Sequence, residues 1–422
     1  MRILMLAQFY PPVIGGEERH VLSLGEALVA RGHEVAVACM PHPDRPQLEW
    51  RNGVAIHSLH GGFQRMSALF SEIERPHVPP FPDPELAARL HGLARSFAPD
   101  VVHGHNWMIH SFLPVRSAHD AALVSTLHDY SLPCAIKTMV RDGGACEGPE
   151  LRKCLSCAQH HFSAVKGPVV AAGHALFRPL HRGAPDRFIA VSRAVAETSG
   201  IIGGDIPFSV IPTFIPDDLA PPVDPHPLAR ALPPDGFLLF VGELNRNKGV
   251  DLLLDAYRRL ENAPPLVLIG RRRPDTPDEL PANVHIFEHW PHAAVMTAWS
   301  RCLFGVAPSR WVEPCGTIVM ESNVVGKAMV AAGHGGLAEL VEHGRNGLLF
   351  EPGDAAALAA AMQYLLDHPD FRRQIEGAAL VAAEAFKANR VVPKIERIYR
   401  EAIAGLPLSR SAFPADAPPQ TL

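Results

Sequence analysis

Two carboxylates, Glu313 and Glu321, stand eight residues apart in a segment that reads Glu-Pro-Cys-Gly-Thr-Ile-Val-Met-Glu. The proline and glycine favour a turn, and the apolar residues after them predict a helix packed on a sheet. The two carboxylates would then lie at most roughly 12 Å apart along the helix axis. The amides of Cys315, Gly316 and Thr317 would form a helix N-terminus, which favours an anion. This pattern fits a sugar joined to a nucleoside by a diphosphate; the alternative is a solvated helix with one glutamate near its start.

Glycine-containing turns follow two other apolar runs. Gly15 and Gly16 come after the first run of the chain, where paired glycines let the backbone approach a phosphate or sugar. The alternative is an ordinary tight loop. In 241–249 a glycine-flanked loop delivers Lys248 just before a helix, which suits either a phosphate grip or a surface turn.

Polar side chains close two neighbouring apolar runs. His105 and Asn106 end one of them, and His128 and Asp129 end the next. Polar groups at such positions are costly unless they are partnered or face a cleft. They are therefore candidates for hydrogen bonds to a sugar or acceptor hydroxyl, although each histidine taken alone also fits a core position. His103, inside its strand, is predicted to be a satisfied core histidine.

The elements that must position these residues alternate between strand-like runs and amphipathic stretches, in two blocks. In the first block we predict strands at 3–8, 34–39, 54–59, 101–103, 123–127, 187–191 and 208–211, with helices at 21–31, 84–97 and 194–200. In the second we predict strands at 237–241, 266–269, 284–287, 303–307, 328–330 and 348–350, with helices at 251–260, 317–325, 337–342 and 355–366. The alternation indicates βαβ units around buried parallel strands.

A proline-dense stretch at 211–225 separates the blocks and is typical of an interdomain linker. The sequence thus predicts α/β domains at 1–213 and 214–385, facing across a cleft. Open α/β sheets bind ligands at the carboxyl ends of their strands. The proline-rich tail 412–422 is predicted to be disordered.

The composition limits the possible partners. Hydrophobic residues make up 47% of the 422 residues and charged residues 20%, which is a globular balance. A net charge of −5 argues against nucleic acid as a partner. No apolar run approaches the roughly 20 residues that span a bilayer, and the first residues lack the features of a signal peptide. Seven cysteines, four of them clustered, do not resemble a secreted disulfide framework. We therefore expect a cytoplasmic protein.

In this order, the motifs resemble those of the retaining glycosyltransferases of family 4, which have the GT-B fold of two Rossmann-like β/α/β domains. The resemblance runs from the Pro-Pro-x-x-Gly-Gly-Glu segment at 11–17 to Gly353-Asp354. Its most specific part is Pro-Ser-x3-Glu-Pro-Cys-Gly-x4-Glu at 308–321, followed by Gly-Gly-x2-Glu at 335–339.

The resemblance implies a metal-independent enzyme that moves a hexose from a UDP- or GDP-sugar to a glycan or lipid-linked acceptor, with an α-glycosidic bond in the product. It places such an enzyme in polysaccharide or glycoconjugate biosynthesis. By the same resemblance, the catalytic residues would be Glu313 on the sugar hydroxyls, Lys248 on the leaving phosphate and His128 near the reacting carbon. The helix at 386–411 would cross back to the first domain.

The resemblance also implies two binding sets. The donor set is Gly15, Gly16, Arg246, Cys315, Gly316, Thr317, Glu321 on the ribose, and Glu288 near the base together with His289. The acceptor set is His105, Asn106 and Asp129.

Two features depart from the family pattern. Glu243 occupies the position of a usual arginine, and an acid there would repel a phosphate unless it turned away. Arg246 is a candidate substitute for that arginine. This departure keeps open a second hypothesis, a non-catalytic GT-B-like protein that binds nucleotide sugars or regulates. A nucleotide-sugar epimerase is a third, which the two glutamates disfavour.

The second departure is an insert at 130–185 that contains Cys134, Cys146, Cys154 and Cys157. Their spacing suits either a structural four-cysteine zinc site or free thiols in a loop. The aromatic and apolar residues of 61–84 fit either a lipid-acceptor loop at the inner face of the membrane or a loop packed on its own domain.

Overall fold

The computed structural model describes residues 1–13, 15–65, 78–141, 143–234 and 236–405. Within them the chain forms two compact units, which are described separately. The first consists of Met1–Arg141, Cys146–Thr213 and the described chain from Val391 onward, and the second consists chiefly of Phe214–Arg390. The expectations for 66–77 and for the tail 412–422 lie outside the described residues.

The first unit is built on an eight-stranded sheet. The strands of this part of the chain are β1 (Arg2–Ala7), β2 (Glu34–Cys39), β3 (Leu48–Arg51), β4 (Val54–Ser58), β5 (Val101–Gly104), β6 (Ala122–Leu127), β7 (Val140–Arg141), β8 (Gly144–Ala145), β9 (Arg187–Ala190) and β10 (Phe208–Val210). The sheet order is β10-β9-β6-β5-β1-β2-β4-β3, parallel except for β3 against β4. The central strands are buried on both faces, which explains their continuous apolar sequences.

Helices cover this sheet. They are α1 (Gly16–Ala30), α2 (Pro84–Phe97), α3 (Ile109–Phe112), α4 (Leu151–His161), α5 (Lys166–Gly183) and α6 (Arg193–Thr198). Asp83 caps the start of α2 by accepting from the amides of Glu85 and Leu86, and Ser192 caps α6 through the amide of Val195.

The second unit is a six-stranded, fully parallel sheet. Its strands are β11 (Leu238–Val241), β12 (Leu266–Ile269), β13 (Val284–Phe287), β14 (Phe304–Ala307), β15 (Met329–Ala332) and β16 (Gly347–Phe350). Their order is β13-β12-β11-β14-β15-β16. The α-helices of the chain after β11 are α7 (Val250–Tyr257), α8 (His292–Arg301), α9 (Thr317–Val324), α10 (Gly335–Leu340), α11 (Ala355–Asp367), α12 (Pro369–Ala383) and α13 (Ala388–Ala404).

The last helix, α13, belongs to the first unit from Val391 onward. The buried carboxylate of Glu396 accepts hydrogen bonds from Arg31 at 2.7 and 2.8 Å and lies 2.8 Å from His33. These bonds, led by the one from Arg31, lower the pKa of Glu396 to about 2. The hydroxyl of Tyr399 lies 2.7 Å from His103. The end of the described chain is thus bonded into the first sheet and its helices.

The strand predictions agree with the structure in both units, whereas several helices differ. α1 begins at Gly16, five residues before its predicted start, and α3, α4, α5, α8 and α12 have no counterpart among the predicted elements. The antiparallel edge strand β3 also has none. None of the described helices is long and apolar enough to cross a bilayer.

In each sheet the order of the parallel strands reverses at one point. The reversal lies between β1 and β5 in the first sheet and between β11 and β14 in the second. Loops that leave the carboxyl ends of such strand pairs diverge and open a crevice, which is the usual ligand site of an open α/β sheet.

Candidate active site

The reversal point of the second sheet brings Lys248 and Glu313 together. Lys248 follows β11, Glu313 follows β14, and the Lys248 Nζ donates to Glu313 Oε1 at 2.6 Å. The hydroxyl of Ser309 donates to the same oxygen at 2.5 Å. Glu313 Oε2 accepts no hydrogen bond from the described residues. Glu313 is buried, so its charge depends on these partners, and one carboxylate oxygen remains for a ligand hydroxyl.

Close backbone packing fixes this pair. Gly249 has φ +75°, and a Cβ there would lie 1.9 Å from the carbonyl oxygen of Pro308. Gly335 has φ +60°, and a Cβ there would lie 2.7 Å from the carbonyl oxygen of Glu313. A side chain at position 249 would push the loops of Lys248 and Glu313 apart, and one at position 335 would push the start of α10 away from Glu313.

Helix α9 begins beside Glu313, with Gly316 as its N-cap and no side chain capping its first amides. Those amides, including the one of Thr317, carry the positive end of the helix dipole. One turn further, the buried Glu321 lies 2.8 Å from His292 Nε2 and accepts from Trp299 Nε1 at 3.3 Å. The two glutamates of the sequence motif therefore flank one helix N-terminus.

Glu243 is neutralised by a residue that sequence reasoning missed. Arg273 donates to its Oε1 at 2.5 Å, and Asn245 donates to its Oε2 at 3.2 Å. The guanidinium of Arg246, the expected substitute, instead lies 3.8 Å from Asp251 and is exposed. The acid at position 243 is thus paired, and Arg273 supplies the cation of this loop.

Glu288 follows the edge strand β13, away from the reversal point. Its carboxylate accepts from the amide of Arg272 at 2.8 Å. No hydrogen bond or ion pair in the described part of the chain joins Glu288 to Lys248 or Glu313.

The reversal point of the first sheet holds three histidines, His20, His105 and His128, which we call the histidine cluster. Among the described residues it is the one group of three or more His, Cys, Asp or Glu side chains whose ligand atoms all lie within 4.8 Å of one another. His105 Nδ1 lies 3.0 Å from His128 Nε2. Burial, and then the neighbouring His103, lowers the pKa of His128 to about 3, and burial also lowers the pKa of His20 and His105. The cluster is therefore neutral at pH 7, with one imidazole donating to the other.

A polar chain of contacts lies beside the histidine cluster. Asn106 donates to Glu17 Oε2 at 2.9 Å and accepts from Lys137 Nζ at 2.8 Å. Burial, with the neighbouring Glu18 second, raises the pKa of Glu17 to about 8. Asp129 accepts from the amide of Ser131 at 2.8 Å.

Glu17, His20 and Lys137 are further site residues that sequence reasoning missed. A signal existed for two of them, because Glu17 and His20 stand three residues apart at the start of α1 and share a helix face. Lys137 gave no such signal, since its role depends on a contact with Asn106, 31 residues away.

The two glycines at the start of α1 differ. Gly15 is the N-cap, and a Cβ there would lie 2.0 Å from the Glu18 carboxylate. A Cβ on Gly16 would meet nothing within 4 Å. The space beside Gly16 is thus open to a ligand.

His103 is a core histidine with both ring nitrogens hydrogen-bonded, as predicted. Tyr399 and Thr126 lie 2.7 Å from its two ring nitrogens.

The four cysteines of the insert are free thiols. Cys154 and Cys157 are one turn apart on α4. Burial, followed by the charges of Cys134, Cys146 and Cys154, raises the pKa of Cys157, so the four lie within electrostatic reach. Burial raises the pKa of Cys134, and main-chain hydrogen bonds from 136–139 offset only part of that rise. In the described chain, however, no three of these sulfurs meet the 4.8 Å spacing of the histidine cluster.

Two family models match the chain and together span most of it. Residues 14–219 match the model described as Glycosyltransferase Family 4, and residues 230–381 match the model described as Glycosyl transferases group 1. Two Rossmann-like units with these strand orders, in a chain similar throughout to GT-B structures, define the GT-B fold. The chain belongs to glycosyltransferase family 4.

Similar proteins cover the chain almost completely. Glycogen synthase of Mycobacterium tuberculosis is 27% identical, over 98% of this chain and 100% of that protein. Phosphatidyl-myo-inositol mannosyltransferase of the same species is 25% identical, over 96% and 98%. Among solved structures, Anabaena HepE in complex with UDP and glucose matches with a TM-score of 0.69 at 19% identity, over 95% of this chain and 100% of that one. This last likeness shows the fold.

Proposed function

We propose that this glycosyltransferase is a retaining, metal-independent enzyme that transfers a hexose from a UDP- or GDP-sugar to a glycan or lipid-linked acceptor, forming an α-glycosidic bond. The observation that carries the proposal is the 2.6 Å contact between Lys248 and Glu313 beside the N-terminus of α9. A cation, a carboxylate and the amides of a helix N-terminus lie together at one edge of the sheet, and these groups can bind a sugar diphosphate.

In the donor unit, the amides of Cys315, Gly316 and Thr317 would bind the diphosphate. Lys248 would neutralise the charge that grows on the leaving phosphate, and electrostatic stabilisation of this kind is usually the largest catalytic term. Glu313 Oε2 would accept from a hydroxyl of the sugar. Glu321, oriented by His292, would accept from the ribose hydroxyls.

In the acceptor unit, neutral groups would position the nucleophile. His128, neutral at pH 7, would hydrogen-bond near the reacting carbon, and His105, Asn106 and Asp129 would bind acceptor hydroxyls. Glu17, with its raised pKa, can donate as well as accept. The leaving phosphate would take the proton of the acceptor hydroxyl on the same face of the sugar as the bond that breaks. That route retains the anomeric configuration without a carboxylate nucleophile.

The pairing of Glu243 with Arg273 favours a catalytic protein over the non-catalytic alternative. The alternative was motivated by a carboxylate that would repel the diphosphate. An ion pair with Arg273 leaves this loop without an uncompensated negative charge.

The cysteines Cys134, Cys146, Cys154 and Cys157 are proposed separately to hold a structural zinc ion. Cys134, Cys146 and Cys154 all lie near enough to raise the pKa of Cys157, which supports this, and the sulfurs would have to move closer to form a tetrahedral site. Metal analysis of the purified protein tests it. About one zinc per chain is expected, and a content well under one would contradict the proposal.

The transferase proposal is tested by nucleotide release. The protein is incubated with UDP- and GDP-sugars and acceptor mixtures, in EDTA and in Mg²⁺, and free UDP or GDP is measured. We expect release with one nucleotide class, at equal rates in EDTA and Mg²⁺, and an α-configured product by NMR. A β-configured product would contradict retention, and loss of activity in EDTA would contradict metal independence. Donor binding without release for any acceptor would favour the non-catalytic alternative.

A further inference from the structure

The first unit contains an apolar cavity of about 320 Å³ that no proposed donor or acceptor residue explains. Its walls include the aromatic rings of Phe63, Phe81, Trp107 and Phe162. The volume lies within the range of small-molecule sites. A water-filled cavity would need polar walls, and these are mostly apolar, so the cavity suits a hydrocarbon.

The cavity is a packed feature of the fold. The rings of Phe63 and Phe81 meet edge to face at 5.3 Å. Phe81 packs directly on α5, because a Cβ at Gly173 would lie 2.2 Å from its ring. The indole nitrogen of Trp107 donates to the carbonyl of Ser131 at 3.0 Å, which fixes that wall. These contacts fix the position of the described aromatic walls of the cavity.

The charged side chains among the described residues of the cavity wall are lysines. Lys137 and Lys166 line it, and no acidic side chain is among the described residues that do. Lys137 Nζ lies 4.3 Å from the centre of the Trp107 ring, and Lys166 Nζ lies 5.1 Å from the centre of the Phe162 ring. Two ammonium groups beside an apolar cavity complement an anionic group attached to a hydrocarbon chain.

The cavity adjoins the candidate acceptor site. Lys137 lines the cavity and also donates to Asn106, which in turn bonds Glu17. A ligand with its chain in the cavity and its anion at Lys137 would therefore present its next polar group to the proposed acceptor residues.

An exposed apolar stripe leads out of the cavity along α5. It consists of Val165, Val169, Leu176 and Leu180, which are 69%, 56%, 70% and 56% exposed. At 3.6 residues per turn, these four side chains lie within about 60° of one another around the helix. Val165 and Val169 also line the cavity. A continuous exposed apolar face of this kind is typical of a surface that meets lipid.

We propose that the acceptor is an anionic lipid, whose hydrocarbon chain occupies this cavity and whose phosphate lies at Lys137 and Lys166. The α5 stripe is then the edge of the site that contacts the lipid surface holding the acceptor. This inference rests on the proposed transferase function and names the acceptor class.

The test uses the full chain with decyl phosphate and butyl phosphate as probes, measured by calorimetric titration. Decyl phosphate is expected to bind at least about a hundredfold more tightly, because six more methylenes leave water. Val169→Asp is expected to lower decyl phosphate affinity at least about tenfold. Val381→Asp, a valine on α12 that is 68% exposed, is the matched control and leaves the affinity unchanged. Equal affinity for the two probes, or an unchanged affinity in Val169→Asp, overturns the proposal.

Val165→Asp is the second variant if Val169→Asp fails to fold, since Val165 is the more exposed of the two. Co-sedimentation with phosphatidylglycerol vesicles tests the stripe: Leu176→Asp is expected to lower the bound fraction several-fold, and equal binding contradicts the role of α5. Nucleotide release from UDP- and GDP-sugars is measured in parallel. Chain-length-dependent binding in a protein that releases no nucleotide would contradict the transferase function while supporting the cavity site.

Discussion

The two strand-order reversal points of this molecule have the same architecture, but one site contains ion pairs and the other contains buried neutral groups. In the second unit the functional groups are charged and paired, as Lys248 is with Glu313 and Arg273 is with Glu243. In the first unit His128 and Glu17 are uncharged at pH 7, because burial lowers the pKa of His128 to about 3 and raises that of Glu17 to about 8.

The difference shows that strand order sets where a site lies, whereas burial sets its charge. Parallel strands with a reversed order open a crevice in either sheet. In the first, three imidazoles crowd together, and protonating any one of them would place a charge among buried neighbours. The second sheet pairs Glu313 with Lys248 and Glu243 with Arg273. The first site is thus suited to hydrogen bonding, and the second to stabilising a charge that develops in a reaction.

The largest effect is expected at the charged site. Lys248→Ala should lower turnover at least about a hundredfold, because the leaving phosphate loses its cation, and Glu313→Gln should do the same by removing the charge that positions Lys248. Initial rates of nucleotide release check this. Arg259→Ala, at an exposed arginine paired with Asp255, is the control and should keep the wild-type rate. Near-normal turnover in Lys248→Ala would contradict the role of Lys248 in neutralising the leaving phosphate.

The neutral histidines of the first unit should make the folding stability fall at acidic pH. Since the folded pKa of His128 is about 3 and the usual value is about 6.5, the unfolded chain binds the proton first as the pH falls. The contribution of neutral His128 to the free energy of unfolding is therefore fully present above about pH 6.5. It declines between about pH 6.5 and pH 3, by about 1.4 kcal/mol per pH unit for one such histidine. Urea unfolding at pH 7, 6 and 5 should show a shallower decline for His128→Gln than for the wild type. His285→Gln, at an exposed histidine on β13, should match the wild type. Identical slopes for all three proteins would show that the cluster is not held neutral.

Arg273 tests whether pairing is what makes the second site tolerate Glu243. Arg273→Ala should weaken donor binding about tenfold, because an unpaired carboxylate would face the diphosphate. The double variant Arg273→Ala with Glu243→Gln should recover most of that loss, as a coupled pair does in a double-mutant cycle. Binding of UDP or GDP measured by calorimetry checks both. Equal losses in the single and double variants would assign Arg273 a direct role instead.

Glu17 gives the smallest effect and the opposite pH dependence. With a folded pKa of about 8 and an unfolded value near 4.5, the folded protein keeps a proton that the unfolded chain releases. The contribution of protonated Glu17 to the free energy of unfolding is fully present below about pH 4.5 and is lost as the pH rises through 8. Glu17→Gln should raise the melting temperature by about 2–4 °C at pH 9 and by under about 1 °C at pH 5. Glu34→Gln, at an exposed position on β2, should show no such pH dependence.

Much of the fold could be predicted from the sequence, because buried parallel strands such as β1, β2 and β6 are continuous apolar runs. The insert was harder. α5 contains Gly167, Gly173 and Pro179, residues that normally argue against a helix, and it forms because tertiary packing outweighs propensity. Gly167 allows a close approach to α4, since a Cβ there would lie 2.4 Å from the Ala158 carbonyl. β3 was missed because its exposed, mostly polar sequence lacks the alternation of a half-buried strand.

Some of the site residues could likewise be predicted from the sequence, and others could not. Residues inside a compact motif, such as Glu313 and Glu321, could be chosen from the sequence together with their neighbours. Arg273 and Lys137 could not, because each acts through a partner about 30 residues away, Glu243 and Asn106 respectively. Those pairings depend on how the loops turn after each strand, and no local pattern encodes that.

The placement of α13 has a consequence for biosynthesis. The first unit needs Glu396 and Tyr399, the partners of Arg31 and His103, and both lie beyond the whole of the second unit in the chain. During translation, all residues of Phe214–Arg390 leave the ribosome before these two do. The unit that is synthesised second can therefore finish folding first, while the unit synthesised first waits with a buried histidine and an arginine unmatched until the last helix is released.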